Sequence, residues 1–165
     1  MKVKIYCLVC FLLILSQIVS GQQTIDAILQ LQNDSIVAYI STEELQEKPP
    51  VFLLDSRKKK EYKVSHIANA VWVGYNKFKP KTITRLIPDK STSIVVYCSI
   101  GVRSNQIGEK LVKMGYTNVH NLYGGIFKWA NEKKPVVDSK NTFTKKVHAY
   151  DKTWGKLLHI KEKVY

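Results

Sequence analysis

Cysteine able to form a disulfide is almost missing from this chain. Of its 165 residues three are cysteine, and Cys7 and Cys10 both lie in the leading apolar run. Without that run Cys98 has no partner, so an intramolecular disulfide is excluded and the thiol is either an inert buried group or a reactive one. Acidic residues are scarce too, 13 against 26 Lys and Arg, for a formal charge of +13. Such a surplus draws anions of any kind. The lysines are scattered, and aromatic residues do not interleave with them at one site, which argues against a nucleic-acid partner and for small anionic substrates. His120, His148 and His159 have no metal-ligand spacing among themselves or with Cys98, so neither a metal nor another cofactor is expected. Internal repeats and low-complexity linkers are absent.

A long hydrophobic run is also lacking. Ile5 to Val19 covers 15 residues and includes Ser16 and Gln17, whereas a bilayer crossing wants about 20 apolar residues. With Lys2 and Lys4 before it and the small residues of Val19-Ser20-Gly21 after it, the run has the layout of a secretory signal cleaved after Gly21. The expectation is an exported protein, periplasmic or secreted, with no membrane span left after cleavage. The remainder holds one core and not two, and a monomer is expected.

What is present is a regular alternation. Thr24 can cap a helix with Ile25, Ile28 and Leu29 on one face. Strands are expected at Ile36 to Ile40, Val51 to Leu54, Ala70 to Val73, Ile94 to Tyr97 and Val119 to Leu122. Helical segments fall between them: a turn at Glu43 to Leu45, a polar helix over Arg57 to Lys63 with Tyr62 turned inward, and a helix opened by Ser104 and stopped by Gly115. Gly124-Gly125 makes a tight turn before a last helix, Ile126 to Asn131. Short apolar strands alternating with amphipathic helices give an α/β class with a mainly parallel sheet. Residues 1–21 are assigned to the signal, 22–35 to an N-terminal helical extension, 36–136 to the domain and 137–165 to a C-terminal extension. In the last, Trp154, Leu157 and Leu158 suggest a helix that Gly155 weakens, packed on the domain.

Open parallel sheets bind ligands beyond the carboxyl ends of their strands, and Asp55 and Cys98 both fall at such ends. Cys98-Ser99-Ile100-Gly101-Val102-Arg103-Ser104 runs from a strand into a helix. A helix N-terminus stabilises a thiolate through its dipole and its unpaired amides. Gly101 allows a tight turn that aims successive N–H groups inward, Arg103 adds a charge that can fork onto oxyanions, and Ser104 is placed to cap the helix. The plain alternative, a small hydrophobe under a turn, leaves the glycine and arginine without a purpose. Loop length separates two chemistries. Cysteine phosphatases carry one residue more between Cys and Arg, a ring wide enough for phosphate. The four residues Ser99 to Val102 suit a smaller adduct, a single sulfur atom on Cys98.

Three ordered motifs together resemble the rhodanese-like sulfurtransferases: CSIGVRS, the upstream LLDSRKKKEYKVSHIANA and the downstream GGIFKWANEKKP. The resemblance runs from about Val37 to Val136 and implies a five-stranded parallel sheet flanked by helices. It also implies a double displacement: Cys98 takes sulfur from an anionic donor such as thiosulfate and passes it to cyanide or a thiol. Ser99, Ile100, Gly101, Val102 and Arg103 would hold the substrate, Arg57 the donor anion at the pocket rim, and Asp55 and Ser104 would support the backbone. The other readings of Arg57 and Asp55 are a structural ion pair, and of the whole domain a module that carries persulfide or binds a partner without turnover. His66 reads as a hydrogen-bonded turn residue, since a thiolate needs no general base. The loop differs from the Gly-Ser-rich version associated with mercaptopyruvate, which favours thiosulfate. Two departures from the family pattern are Ser65, where glycine is usual, and Ala68-Asn69, where Pro-Gly is usual.

Overall fold

The computed structural model describes residues 24–31, 35–48 and 51–165; the expected signal segment lies outside them. Five strands, β1 (Ala38–Ile40), β2 (Phe52–Asp55), β3 (Val71–Trp72), β4 (Ile94–Tyr97) and β5 (Val119–Leu122), form one sheet in the order β1-β5-β4-β2-β3. Every pairing is parallel, so the expected architecture is present. Central β4 faces Asp55 across from Tyr97 and Asn121 across from Val96, which brings the polar residues of both neighbouring strands beside the loop that starts at Cys98.

Burial follows strand alternation. Leu53, Val95 and Tyr97 point into one core with Ile126 and Phe127, while Leu54, Ile94 and Val96 point into another with Ile83, Ile107 and Leu111. Successive residues of a strand face opposite sides, so with both faces covered β4 is apolar throughout and β2 is apolar up to Asp55. Helices α4 (Pro80–Leu86) and α5 (Val102–Lys113) cover the second face. The first is covered by α6 (Gly125–Asn131) and the C-terminal segment, through Leu157 and Leu158.

The expected caps hold in part. Thr24 Oγ1 accepts from Ala27 N–H at 3.1 Å and starts α1 (Ile25–Gln30). Ser41 and Glu44 form a reciprocal capping box on α2 (Thr42–Glu47). In α3 (Lys59–Val64) the residue turned inward is Glu61, fully buried, whereas Tyr62 is half-buried and donates to Ala70 O. That corrects the expectation for Tyr62, and the reason is the half-buried guanidinium of Arg103, with which Glu61 pairs at 3.0 Å.

Both departures from the family pattern are accommodated by the backbone. Asn69 sits at φ +64°, a left-handed position that glycine favours and asparagine tolerates. Ser65 has φ −166°, extended backbone open to any residue. His66 behaves as expected: it is buried, stacked on Tyr62, and its backbone exchanges two hydrogen bonds with Val137. That bridge fastens the C-terminal extension to the domain. The extension continues through β6 (Val136–Val137), β7 (Phe143–Thr144), β8 (Val147–His148), a single 3-10 turn at Trp154–Leu157 in place of the expected helix, and β9 (Lys163–Val164). Among the described residues no helix is long and apolar enough to cross a membrane.

Candidate active site

The loop after β4 departs from the sequence expectation in one respect. Helix α5 begins at Val102 with Gly101 as its N-cap at φ +117°, so Ser104 lies inside the first turn and does not cap. A positive φ at Gly101 swings the chain into the helix early. The Ser104 hydroxyl instead lies 3.0 Å from Gly101 O and 2.7 Å from Asn121 Oδ1, and Asn121 Nδ2 donates to the same carbonyl at 2.9 Å. Gly101 is therefore gripped from below, and its N–H donates to Cys98 Sγ at 3.2 Å. Among the described residues this is the loop amide in hydrogen-bond contact with sulfur.

Cys98 lies at the bottom of a small cup of about 120 Å³ lined by Ser99, Ile100, Val102, Arg103, Tyr150 and Trp154. Its thiol is 1% exposed, shielded from bulk water yet facing a cavity. A larger cleft of about 750 Å³ lies between Lys133 and Glu162 and shares no lining residue with this cup; its lining holds no cysteine. Size alone therefore does not mark the reactive site.

Arg103 lines the cup, but its fork is not free. Nη1 and Nη2 donate to Glu61 Oε2 and Oε1 at 3.1 and 3.0 Å, and Nη2 also donates to Ser99 Oγ at 2.9 Å. The ring of Tyr150 covers the guanidinium 5.0 Å from its centroid. Burial works to lower the Arg103 pKa; Glu61 and negative charge on Cys98 outweigh it and raise the value. Burial likewise works to raise Glu61, but its ion pair with Arg103 outweighs this and holds the carboxyl below its ordinary value. The pair stays charged, and Arg103 acts as a fixed positive wall of the cup.

Arg57 requires a correction. It is fully buried, and its Nη2 donates to Asp55 Oδ2 at 2.7 Å and to Ser65 O at 2.6 Å. It does not line the cup, so it cannot hold a donor anion at the rim. Asp55 turns inward at the end of β2 and is equally buried, and a charge so placed survives by pairing locally. Asp55 and Cys98 end adjacent strands but do not share a pocket. Their connection is structural: Ser56 N–H and its hydroxyl both donate to Tyr97 O at 2.9 Å, which fixes the residue just before Cys98.

A strand-end cysteine, a glycine amide on its sulfur and an arginine in the first turn of the following helix make the motif specific, and a family model described as Rhodanese-like domain matches residues 39–132, more than half of the chain. The chain belongs to the rhodanese-like domain family. Adenylyltransferase and sulfurtransferase UBA4 of Candida albicans is 35% identical over 101 residues, covering 58% of this chain and 22% of that protein. The tRNA uridine(34) hydroxylase of Yersinia pestis is 31% identical over 94 residues, covering 55% of this chain and 26% of that protein. The chain thus spans about a quarter of the length of the curated relatives it matches. Among solved structures, a thiosulfate sulfurtransferase from Pseudomonas aeruginosa superposes with a TM-score of 0.57 at 22% identity, covering 66% of this chain and 22% of that one. A rhodanese-related protein from Thermoplasma volcanium gives 0.54 at 28% identity, covering 61% and 97%.

The rhodanese-like core accounts for the two remaining supports of the loop. Glu61 is the first. Glu61→Gln keeps the shape but replaces one carboxylate oxygen with a donor that faces the guanidinium. Loss of that charged hydrogen bond is expected to cost about 1–3 kcal/mol by urea unfolding, and displacement of Arg103 should slow modification of Cys98 by an anionic reagent about tenfold or more. A wild-type unfolding midpoint would refute this role.

Gly125 is the second support. Ile126 and Phe127 N–H, at the start of α6, donate to Cys98 O and Ser99 O at 3.0 Å each. The approach is close enough that a Cβ on Gly125 would sit 2.5 Å from Cys98 O and 2.7 Å from Ser99 O, and its φ is +54°. Those obstacles are backbone and cannot rotate away. Gly125→Ala should lose more than about 1 kcal/mol of stability and displace the loop from sulfur, seen as a changed chemical shift for the Gly101 amide.

Proposed function

We propose that this rhodanese-like domain is a sulfurtransferase that moves sulfane sulfur from a small anionic donor, with thiosulfate as the reference substrate, to cyanide or a thiol. The observation that supports it best is the Gly101 N–H directed at Cys98 Sγ at 3.2 Å inside a cup walled by Arg103. Hydrogen bonding and a nearby positive charge stabilise the anionic sulfur that Cys98 carries between the two steps.

In the first step the Cys98 thiolate attacks the outer sulfur of thiosulfate. A new S–S bond forms to Cys98, the bond to the sulfite sulfur breaks, and sulfite leaves with its electron pair. Cys98 then carries a persulfide anion. In the second step cyanide attacks the outer persulfide sulfur, the Cys98–S bond breaks, and thiocyanate leaves the thiolate restored. No redox partner and no general base are needed, in keeping with a His66 that is occupied by Tyr62 and Val137.

The near-complete burial of Cys98 favours a second reading, a domain that stores persulfide or presents it to a partner without turnover on small acceptors. Thiosulfate incubation without reductant, followed by intact mass measurement, separates the readings. The sulfurtransferase reading expects one added sulfur atom that cyanide removes as thiocyanate. An adduct that cyanide leaves in place points to carriage, and no adduct overturns both. Export through the N-terminal segment is part of the proposal, tested by the N-terminal sequence of the mature chain, with cleavage after Gly21 expected.

A further inference from the structure

The cup over Cys98 is closed by residues that lie beyond the family match, which stops at residue 132. Tyr150 and Trp154 line the cavity together with the active loop, and both belong to the C-terminal extension. We infer that this extension is a fixed roof, and that Tyr150 and Trp154 select for small, compact sulfur acceptors against thiols carried on a peptide. The inference rests on the sulfurtransferase reading for its chemistry, although the roof itself can be tested without it.

The roof is held by its own hydrogen bonds. Strand β8 pairs with β9 in parallel, and Ala149 N–H donates to Val164 O at 2.7 Å. Tyr150 follows at φ +69°, a conformation rare for a residue with a side chain, and its N–H donates to His148 Nδ1 at 3.0 Å. His148 is buried beneath it. Asp151 Oδ1 accepts from Thr153 and Trp154 N–H at 2.8 and 2.9 Å and begins the 3-10 turn that carries Trp154. Lys163 Nζ donates to Gly155 O at 2.8 Å, and Asn131 Nδ2 donates to Leu157 O at 2.9 Å, which ties the turn to α6. Leu157 and Leu158 are buried in the main core.

Two consequences follow for access to sulfur. The cup holds about 120 Å³, well below the ~300–1,000 Å³ of pockets that enclose drug-sized ligands. A cup of this size suits an anion such as thiosulfate or cyanide beside Cys98, whereas a cysteine within a peptide brings backbone bulk that a space walled by Tyr150 and Trp154 does not match. Tyr150 also contributes to charge. Its ring centroid lies 5.0 Å from both the Arg103 guanidinium carbon and Lys58 Nζ, within reach of cation–π attraction to each.

The test uses the full chain and its Trp154→Ala and Trp154→Phe variants, each checked for folding by thermal unfolding. Cys98 is first loaded from thiosulfate, and discharge is then timed with cyanide and with glutathione. The wild type is expected to prefer cyanide. Trp154→Ala should shift the glutathione-to-cyanide rate ratio towards glutathione by about tenfold or more, within the range that pocket shape alone can discriminate, and Trp154→Phe by less. A ratio unchanged in Trp154→Ala, or a wild type that discharges equally fast to both, overturns the roof. If no persulfide forms, the sulfurtransferase reading fails and the roof is judged by alkylation. Unloaded wild type should react with iodoacetamide and resist a fluorescein maleimide, whereas Trp154→Ala should accept both; equal reaction of the wild type with both reagents again overturns it.

Discussion

Cys98→Ser is expected to take up no sulfur from thiosulfate, while folding as the wild type does. A serine hydroxyl stays protonated at neutral pH without an activating base, and the His66 ring is engaged by Tyr62 O at 3.1 Å. The cup lining holds neither a histidine nor a carboxylate to take the serine proton during attack. The substitution is close to isosteric, and the new oxygen can accept from Gly101 N–H, so loss of uptake would report chemistry rather than collapse. The expected result is a mass equal to that of the untreated protein, against one added sulfur in the wild type. A serine variant that still gained sulfur would place the reactive group elsewhere. Phosphatase activity offers a separate check. The four-residue span from Ser99 to Val102 and the Arg103 fork already closed on Glu61 leave no open cradle for three phosphoryl oxygens, so no phosphate-ester hydrolysis dependent on Cys98 should be measurable.

The reactive loop was legible in the sequence because its chemistry is contiguous: Cys98, Gly101 and Arg103 lie within one strand-to-helix connection. The strands could be read for a related reason, since β2 and β4 are buried on both faces and carry unbroken apolar runs. Glu61 was hidden. In sequence it is one more charged residue in a polar helix, and only the fold shows that Arg103, 42 positions later, faces it. Asn121 left a faint signal, a polar side chain that follows His120 within the short strand Val119–Leu122 and that, once buried in a parallel sheet, must find a partner. Tyr150 and Trp154 left none. They follow a segment without helical or strand periodicity, and their place above Cys98 depends on the β8–β9 pairing and on a left-handed tyrosine. Arg57 misled for the opposite reason. Its position after a strand end fits a ligand-binding arginine as well as a structural one, and the decision rests on burial alone.

That decision leads to the largest stability effect expected in the chain. Asp55→Ala should destabilise the fold by about 3–5 kcal/mol, because it leaves a guanidinium with no access to water and no counter-charge. Burial works against the Arg57 charge; in the wild type the Asp55 carboxylate outweighs it and raises the pKa above the usual arginine value, and Asp55→Ala removes that compensation. The corner carries more than one bond: Asp55 Oδ1 accepts from Arg57 N–H at 2.8 Å, and Arg57 O accepts from Trp72 Nε1 at 2.9 Å. Its ring neighbour Tyr97 lies 5.7 Å from the guanidinium carbon and directly precedes Cys98. A charge-free replacement separates the pair from the place it occupies. In Asp55→Leu/Arg57→Met no charge is stranded; the remaining penalties are the Ser65 carbonyl left without its donor and the residue-57 N–H left without its acceptor, about 1–3 kcal/mol each, and Asp55→Ala already carries the second. The double variant should therefore be more stable than Asp55→Ala, although it removes more hydrogen bonds. Urea unfolding of wild type, Asp55→Leu, Arg57→Met and the double closes the cycle, with Asp55→Ala measured beside it; a double variant less stable than Asp55→Ala would mean that the corner depends on the bonds themselves and not on compensating a buried charge.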